Sequence, residues 1–172
     1  MKPQGSGWMG WLPTPWVVGI ATLGPVGQLP APGTWGSLAA LPFVALLHAY
    51  LPDSFARAAV VLAGLCIAVA VCGEAEVRLG LRDPGRIILD EFTAMPLCFL
   101  GWSRMTGQWP VWAVLLAGFT AFRFFDIAKP LGIRWLQKLP GGWGVVADDV
   151  AAAAAACAAL HGARLVAVYL TA

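Results

Sequence analysis

Apolar and polar positions along this chain fall into long blocks instead of the short alternations of a soluble fold. Residues 55–73, "FARAAVVLAGLCIAVAVCG", hold a single charge in 19 positions, and a run of that length and polarity predicts a membrane-crossing helix. Further blocks predict helices from Gly36 to about Leu51, Ile87 to Trp102, Pro110 to Ile127 and Ala147 to Leu170. Residues 16–29, "WVVGIATLGPVGQL", are apolar but short and broken by Gly and Pro, which predicts a re-entrant or interfacial segment. Between these blocks, "PAPGTWGSL" (30–38) predicts a turn that opens a helix, and "EAEVRLGLRDPGR" (74–86) predicts a charged connector with a short interfacial helix. The fold expected is all-α: a polytopic membrane helix bundle of about five spans plus the N-terminal segment. Residues 1–172 form one membrane-embedded catalytic domain in this reading.

Composition agrees with the pattern. The chain is 59% hydrophobic and 12% charged, with a mean hydropathy of +0.75, against roughly 25% charged residues in soluble domains. A net charge of +2 with scattered Lys and Arg excludes a nucleic-acid partner and leaves the membrane and its lipids. Cys66, Cys72, Cys98 and Cys157 lie inside apolar runs and read as packing residues. "MKPQGSGWMGWLPTPW" lacks the unbroken apolar core of a signal peptide and is expected to stay on the mature protein. Arg78, Arg82 and Arg86 share one connector, and Arg134 and Lys138 another, whereas Arg104 stands alone in the connector between them. Lys and Arg favour the cytoplasmic side, so the two basic connectors should face the cytoplasm.

That orientation collects the acids. Asp90, Glu91, Asp126, Asp148 and Asp149 lie within or at the ends of apolar blocks, all at the predicted cytoplasmic end. Carboxylates in such places need a compensating partner. Oxygen ligands without clustered His or Cys favour Mg²⁺, Mn²⁺ or Ca²⁺ over zinc. Arg123, Asp126 and Lys129 follow at i, i+3, i+6 in "FRFFDIAKP", a cation–acid–cation face suited to a phosphate and its metal. "GTWGS" sets Thr34 and Ser37 at a helix start, where N–H groups and hydroxyls hold anions. "GGWG", with Gly141, Gly142 and Gly144, lets backbone approach a ligand just before the Asp pair.

Plainer roles compete with each of these. Asp148 and Asp149 could cap a helix, Arg123 and Asp126 could form an intrahelical ion pair, and Thr34 and Ser37 could serve as caps alone. His48 and His161 read as packed or interfacial, and the tryptophans as belt anchors. The spacing Cys72 to Arg78 matches a cysteine-phosphatase loop, but Glu74 and Glu76 fall inside it and would repel a phosphate.

Through "PGTWGSLAALP", "DPGRIILDEF", "FRFFDIAKP", "IRW" and "GGWGVVADD", about residues 30–153, the chain resembles the phosphatidylglycerophosphatase A family. These are small Mg²⁺-dependent enzymes of the bacterial inner membrane. The resemblance implies hydrolysis of the terminal phosphomonoester of phosphatidylglycerophosphate at the cytoplasmic leaflet, giving phosphatidylglycerol and phosphate. Asp90, Glu91, Asp126, Asp148 and Asp149 then hold one or two Mg²⁺. Thr34, Ser37, Arg123, Lys129, Gly141, Gly142 and Gly144 bind substrate. Ala94, Gly132 and Ala153 depart from the family's pattern at packing or turn positions. No Ser, Cys or His stands beside a base as a nucleophile, so a water is preferred and an Asp comes second. Two other classes compete: a CDP-alcohol phosphotransferase, whose "DGxxAR…G…D…D" pattern is absent, and a proton- or cation-conducting protein, which would spread its acids through the membrane depth.

Overall fold

The computed structural model describes residues 10–130 and 132–171. The expectation for the N-terminal stretch falls in part on residues 1–9, outside those described. The described residues are mostly helical and include no strand. In order they form α1 (Thr14–Ala21), a 3-10 turn (Gly24–Gln28), α2 (Pro32–Tyr50), α3 (Ser54–Leu79) and α4 (Leu89–Ala94). After a second 3-10 turn (Met95–Phe99) come α5 (Trp102–Thr106), α6 (Val111–Ala128), a third 3-10 turn (Ile133–Lys138) and α7 (Gly142–Thr171).

Local chemistry sets most of these limits. Asp53 caps α3 by accepting the Phe55 N–H at 3.1 Å, and Gly80, left-handed at φ 64°, ends it. α6 stops at Lys129, the residue before Pro130, because the proline ring disfavours further helix. Among the described residues α3, α6 and α7 are long and apolar enough to cross a membrane. α2 has 19 residues with Pro42 inside it.

Four expectations change. The 74–86 connector is not a separate helix, since α3 continues through Glu74, Glu76 and Arg78 to Leu79. The Ile87–Trp102 block is not one helix. It breaks into α4 and a 3-10 turn, because Pro96 has no N–H to continue the ladder, and its irregular backbone is tolerated because Leu89, Ala94, Met95, Cys98 and Phe99 are buried in the core. α7 begins at Gly142, five residues before the expected start. Of the four cysteines, Cys72, Cys98 and Cys157 are buried, whereas Cys66 is exposed.

The long elements alternate in direction. α2 starts beside Glu91, where Gly33 packs, and α3 ends near that level. The α4 segment starts there again and leads to Leu100, whose carbonyl meets His161 Nε2 at 2.8 Å. His161 lies 12 residues along α7 from Asp149, about 18 Å. α6 returns to Asp126, and α7 leaves once more. Tightly packed small residues join them: Ala40, Ala94, Ala152, Ala153 and Ala156 sit in the central core with Phe99 and Phe122, as suits helices that approach closely.

Candidate active site

Three helices bring the acids together. Asp90 and Glu91 occupy the first turn of α4, where the helix dipole favours negative charge. Arg123 and Asp126 close α6, with Lys129 as its C-cap. Asp148 and Asp149 lie in the second turn of α7, past the N–H groups that a cap would satisfy, so the capping role does not hold.

Side-chain oxygens of Asp90, Glu91 and Asp149 lie within 4.8 Å of one another, a spacing that a metal ion can fill. Asp90 is 5% and Asp149 3% exposed. These groups crowd like charge into a dry site, which a cation would relieve.

Beside this trio stands a chain of ion pairs. Arg123 donates to Asp126 Oδ2 at 2.6 Å and approaches Glu91 Oε1 at 3.9 Å. Lys129 approaches Asp126 Oδ1 at 3.4 Å and donates closely to Asp148 Oδ2. Burial lowers the Lys129 pKa, but the Asp148 hydrogen bond and the Asp126 and Asp149 charges outweigh it and hold the ammonium charged. The i, i+3, i+6 spacing therefore does produce the cation–acid–cation face, and Arg123 reaches beyond its own helix.

Unpartnered atoms show what the site lacks. Asp90 Oδ1, Glu91 Oε2 and Asp148 Oδ1 are buried acceptors, and Arg123 Nε a buried donor, without hydrogen-bond partners. Each such group costs about 1–3 kcal/mol. Acceptors that want a cation beside a donor that wants an anion fit a metal together with a phosphate.

The glycines of both motifs sit where helices pack closely. A Cβ on Gly33 would overlap Glu91 Oε1 and lie 3.1 Å from the Arg123 guanidinium, and one on Gly36 would lie 2.9 Å from Ile88 Cβ. Both let α2 press against the start of α4. Thr34 is half-buried in the first turn of α2. Ser37 is wholly buried and donates to Gly33 O at 2.8 Å, with Arg123 3.5 Å from its oxygen. Gly141 is left-handed at φ 57°. A Cβ on Gly142 would strike Val69 O, one on Gly73 would lie 2.6 Å from Gly142 N, and one on Gly144 would meet Leu139 O. "GGWG" thus lets α7 cross α3 backbone to backbone, which sets the height of Asp149.

Sequence reasoning missed Glu74, Glu76 and Arg78 as interior groups. Arg78 donates to Glu74 at 2.8 Å and to Leu12 O at 2.6 Å, and Glu76 accepts the Asp83 N–H at 2.5 Å. The i, i+4 spacing of Glu74 and Arg78 was the available signal. Arg82 donates to Gln137 O at 2.8 Å, and Gln137 to Asp83 at 3.1 Å, so the two basic connectors lie at the same end of the bundle.

Fold and site together define a helical membrane protein with a buried acidic site flanked by fixed cations. The profile of the family described as Phosphatidylglycerophosphatase A matches residues 19–164. Phosphatidylglycerophosphatase A of Escherichia coli (strain K12) is 38% identical over 122 residues, 70% of this chain and 67% of that protein. The protein of the same name from Haemophilus influenzae is 36% identical over 127 residues, 72% and 73% of the two chains. A Bacteroides thetaiotaomicron protein named as a candidate phosphatidylinositol-3-phosphatase is 36% identical over 132 residues, 71% and 76% of the two chains. No solved structure matches. The chain belongs to the phosphatidylglycerophosphatase A family.

Proposed function

We propose that this protein hydrolyses phosphatidylglycerophosphate to phosphatidylglycerol and inorganic phosphate, with Mg²⁺ held at the cytoplasmic end of the bundle. The enzyme is a phosphoric monoester hydrolase of phospholipid synthesis in this reading, working as one membrane-embedded catalytic unit in the bacterial inner membrane. The carrying observation is the trio Asp90, Glu91 and Asp149, whose carboxylate oxygens converge within 4.8 Å beside the Arg123–Asp126–Lys129–Asp148 ion-pair chain.

Charge counting supports a divalent ion. Five carboxylates against Arg123 and Lys129 leave −5 + 2 = −3 when all are ionised, and a phosphomonoester brings more negative charge. One divalent ion lowers the deficit to −1, and two reverse it to +1. An all-carboxylate donor set fits Mg²⁺. Asp90, Glu91 and Asp149 would hold the ion, and Asp126 and Asp148 border it. When bound, the cation supplies charge neutralisation for the phosphomonoester under attack.

The chain's own groups do the rest. Arg123, with Nε unpartnered, and Lys129, held charged, grip the phosphate oxygens as they gain charge. Asp126 and Asp148 orient those two cations through their ion pairs. Ser37 and Thr34 border the phosphate from α2. Water is the nucleophile: its oxygen bonds to phosphorus as the bond to the glycerol oxygen breaks, a nearby carboxylate takes the water's proton, and the departing glycerol oxygen takes up a proton in turn. Gly33 and Gly36 let α2 close on α4, and Gly142 lets α7 close on α3, so that solvent is excluded.

Phosphate release from the purified protein with phosphatidylglycerophosphate should stop in EDTA and return with Mg²⁺, and turnover undiminished by EDTA would remove the metal from the reaction. Phosphatidylinositol 3-phosphate, assayed in parallel because of the Bacteroides relative, should be cleaved more slowly.

In the same reading α2, α3, the broken segment from Ile87 to Trp102, α6 and α7 make five crossings, with α1 at the interface. Exposed Trp11, Trp16, Trp35, Trp135 and Trp143 support an aromatic belt at the acidic end. In a Cys66→Ser background, cysteines placed at Arg82 and Lys138 should react with an impermeant thiol reagent only from the cytoplasm, and one at Arg104 only from the other face. Labelling of Arg82 and Lys138 positions from opposite sides would dismantle this arrangement.

A further inference from the structure

A cavity of about 700 Å³ opens at the far end of the bundle between the end of α2, the first turns of α3 and residues 96–104. It is remote from the acids: Arg57 on its wall and Cys72, level with the acidic end of α3, are 15 residues apart on one helix, about 22 Å. Leu47, Leu62, Leu65 and Leu97 give it apolar walls. His48, Arg57 and Arg104 line it as well, with His48 stacked on Trp102 at 4.5 Å between ring centroids. Its size is that of a ligand pocket, not a packing defect.

We propose that this cavity binds an anionic phospholipid of the leaflet opposite the acidic site, one acyl chain lying among the leucines and the phosphodiester between Arg57 and Arg104. The inference rests on reading the chain as a membrane bundle and is independent of the reaction.

Charge complementarity carries it. Arg57 uses one nitrogen, Nη1, to cap the end of α2, donating to Leu51 O at 2.5 Å and Pro52 O at 2.7 Å. Its remaining donors and the whole Arg104 side chain meet no acceptor among the described residues. Among the described residues no carboxylate lines the cavity; the adjacent acid, Asp53, is occupied as the cap of α3. Two guanidinium groups lining an otherwise largely apolar cavity near the end of the bundle match a charged head group joined to an acyl tail. The wall carrying Arg104 is also well anchored. His161 meets Leu100 O at 2.8 Å, Arg164 donates to Arg104 O at 3.1 Å, and Gly101, left-handed at φ 79°, leaves room for the His161 ring.

Native mass spectrometry of the full chain with added lipid tests this. Phosphatidylserine is the probe, because it is anionic but has no terminal phosphomonoester, and phosphatidylcholine is the neutral control. The parent should retain phosphatidylserine preferentially at raised collision energy. Arg104→Gln should weaken that retention about fivefold, the effect of about 1 kcal/mol per basic residue. Leu62→Trp, which fills the cavity from an exposed α3 position, should abolish the preference with both arginines intact. Phosphatase turnover, measured on the same samples, should not change, so a failure of the lipid site and a failure of the enzymatic reading are told apart. Equal retention of the two lipids, unaltered phosphatidylserine retention in both variants, or a dimer that carries no lipid would overturn the proposal.

Discussion

Asp149→Asn protein is expected to insert and accumulate as the parent does, yet to lose turnover by about 10²–10³, the typical cost of removing one strong electrostatic contact from a transition state. Asp149 is 3% exposed and shares the metal-sized space with Asp90 and Glu91. An amide there weakens cation binding, so raising Mg²⁺ should restore part of the activity by mass action. Asp148→Asn should lose a similar factor for a different reason. Asp148 is the close partner of Lys129, and its loss frees the ammonium from its position instead of emptying the metal site. Added Mg²⁺ should therefore rescue Asp149→Asn and leave Asp148→Asn unchanged. Phosphate release measured over a Mg²⁺ series decides this, with Asp53→Asn as a control at the far end that should change little. Equal rescue of both variants would mean that the two adjacent acids share one role.

Gly142→Val should disable the enzyme without touching any charged group. A side chain at this position has nowhere to go, because the carbonyl of Val69 in α3 occupies the place of its Cβ. Backbone cannot rotate aside as a side chain can, so α7 must move away from α3. Overpacking of this kind costs about 1–3 kcal/mol, and a shift of about 1 Å in catalytic groups can cost about 10²-fold in rate. The expected result is a folded, less heat-stable protein with about that loss. Gly162→Ala is the matched control, since nothing lies within 4 Å of a Cβ there and alanine favours a helix by about 0.5–1 kcal/mol; it should keep full activity and gain slightly in thermal stability. Turnover at parental level in Gly142→Val would show that the α3–α7 crossing does not set the site.

Much of this architecture is visible in the sequence, and the misses have definite causes. The apolar blocks for α3 and α6 lie close to the observed helices because a long low-charge run in lipid has few alternatives to helix. The start of α7 escapes the pattern because Pro140, Gly141 and Gly142 have the composition of a loop. Gly142 belongs to the helix instead, since the α3 backbone lies where its side chain would be. The break in the fourth block follows from Pro96, but a single proline does not show whether a helix will kink or end. That depends on the neighbours that bury the irregular turn.

The five acids and two cations show a similar division. Their types and positions were enough to predict a site at one end of the bundle, because charges in apolar blocks are costly enough to be confined to places where they are paired or used. Sequence alone determined the helical class, the membrane setting and the chemical inventory, all of which depend on composition and on periodicity within a few turns. Only the tertiary structure decided which acids share a space. It set Asp90, Glu91 and Asp149 in one trio and tied Asp126 and Asp148 to Arg123 and Lys129, and it made Gly33 and Gly142 contact points between helices. The reason is that adjacent residues on a helix point about 100° apart, so Asp148 and Asp149 must face different neighbours, and the rotation and height of α7 against α3, α4 and α6 determine which neighbour each one meets.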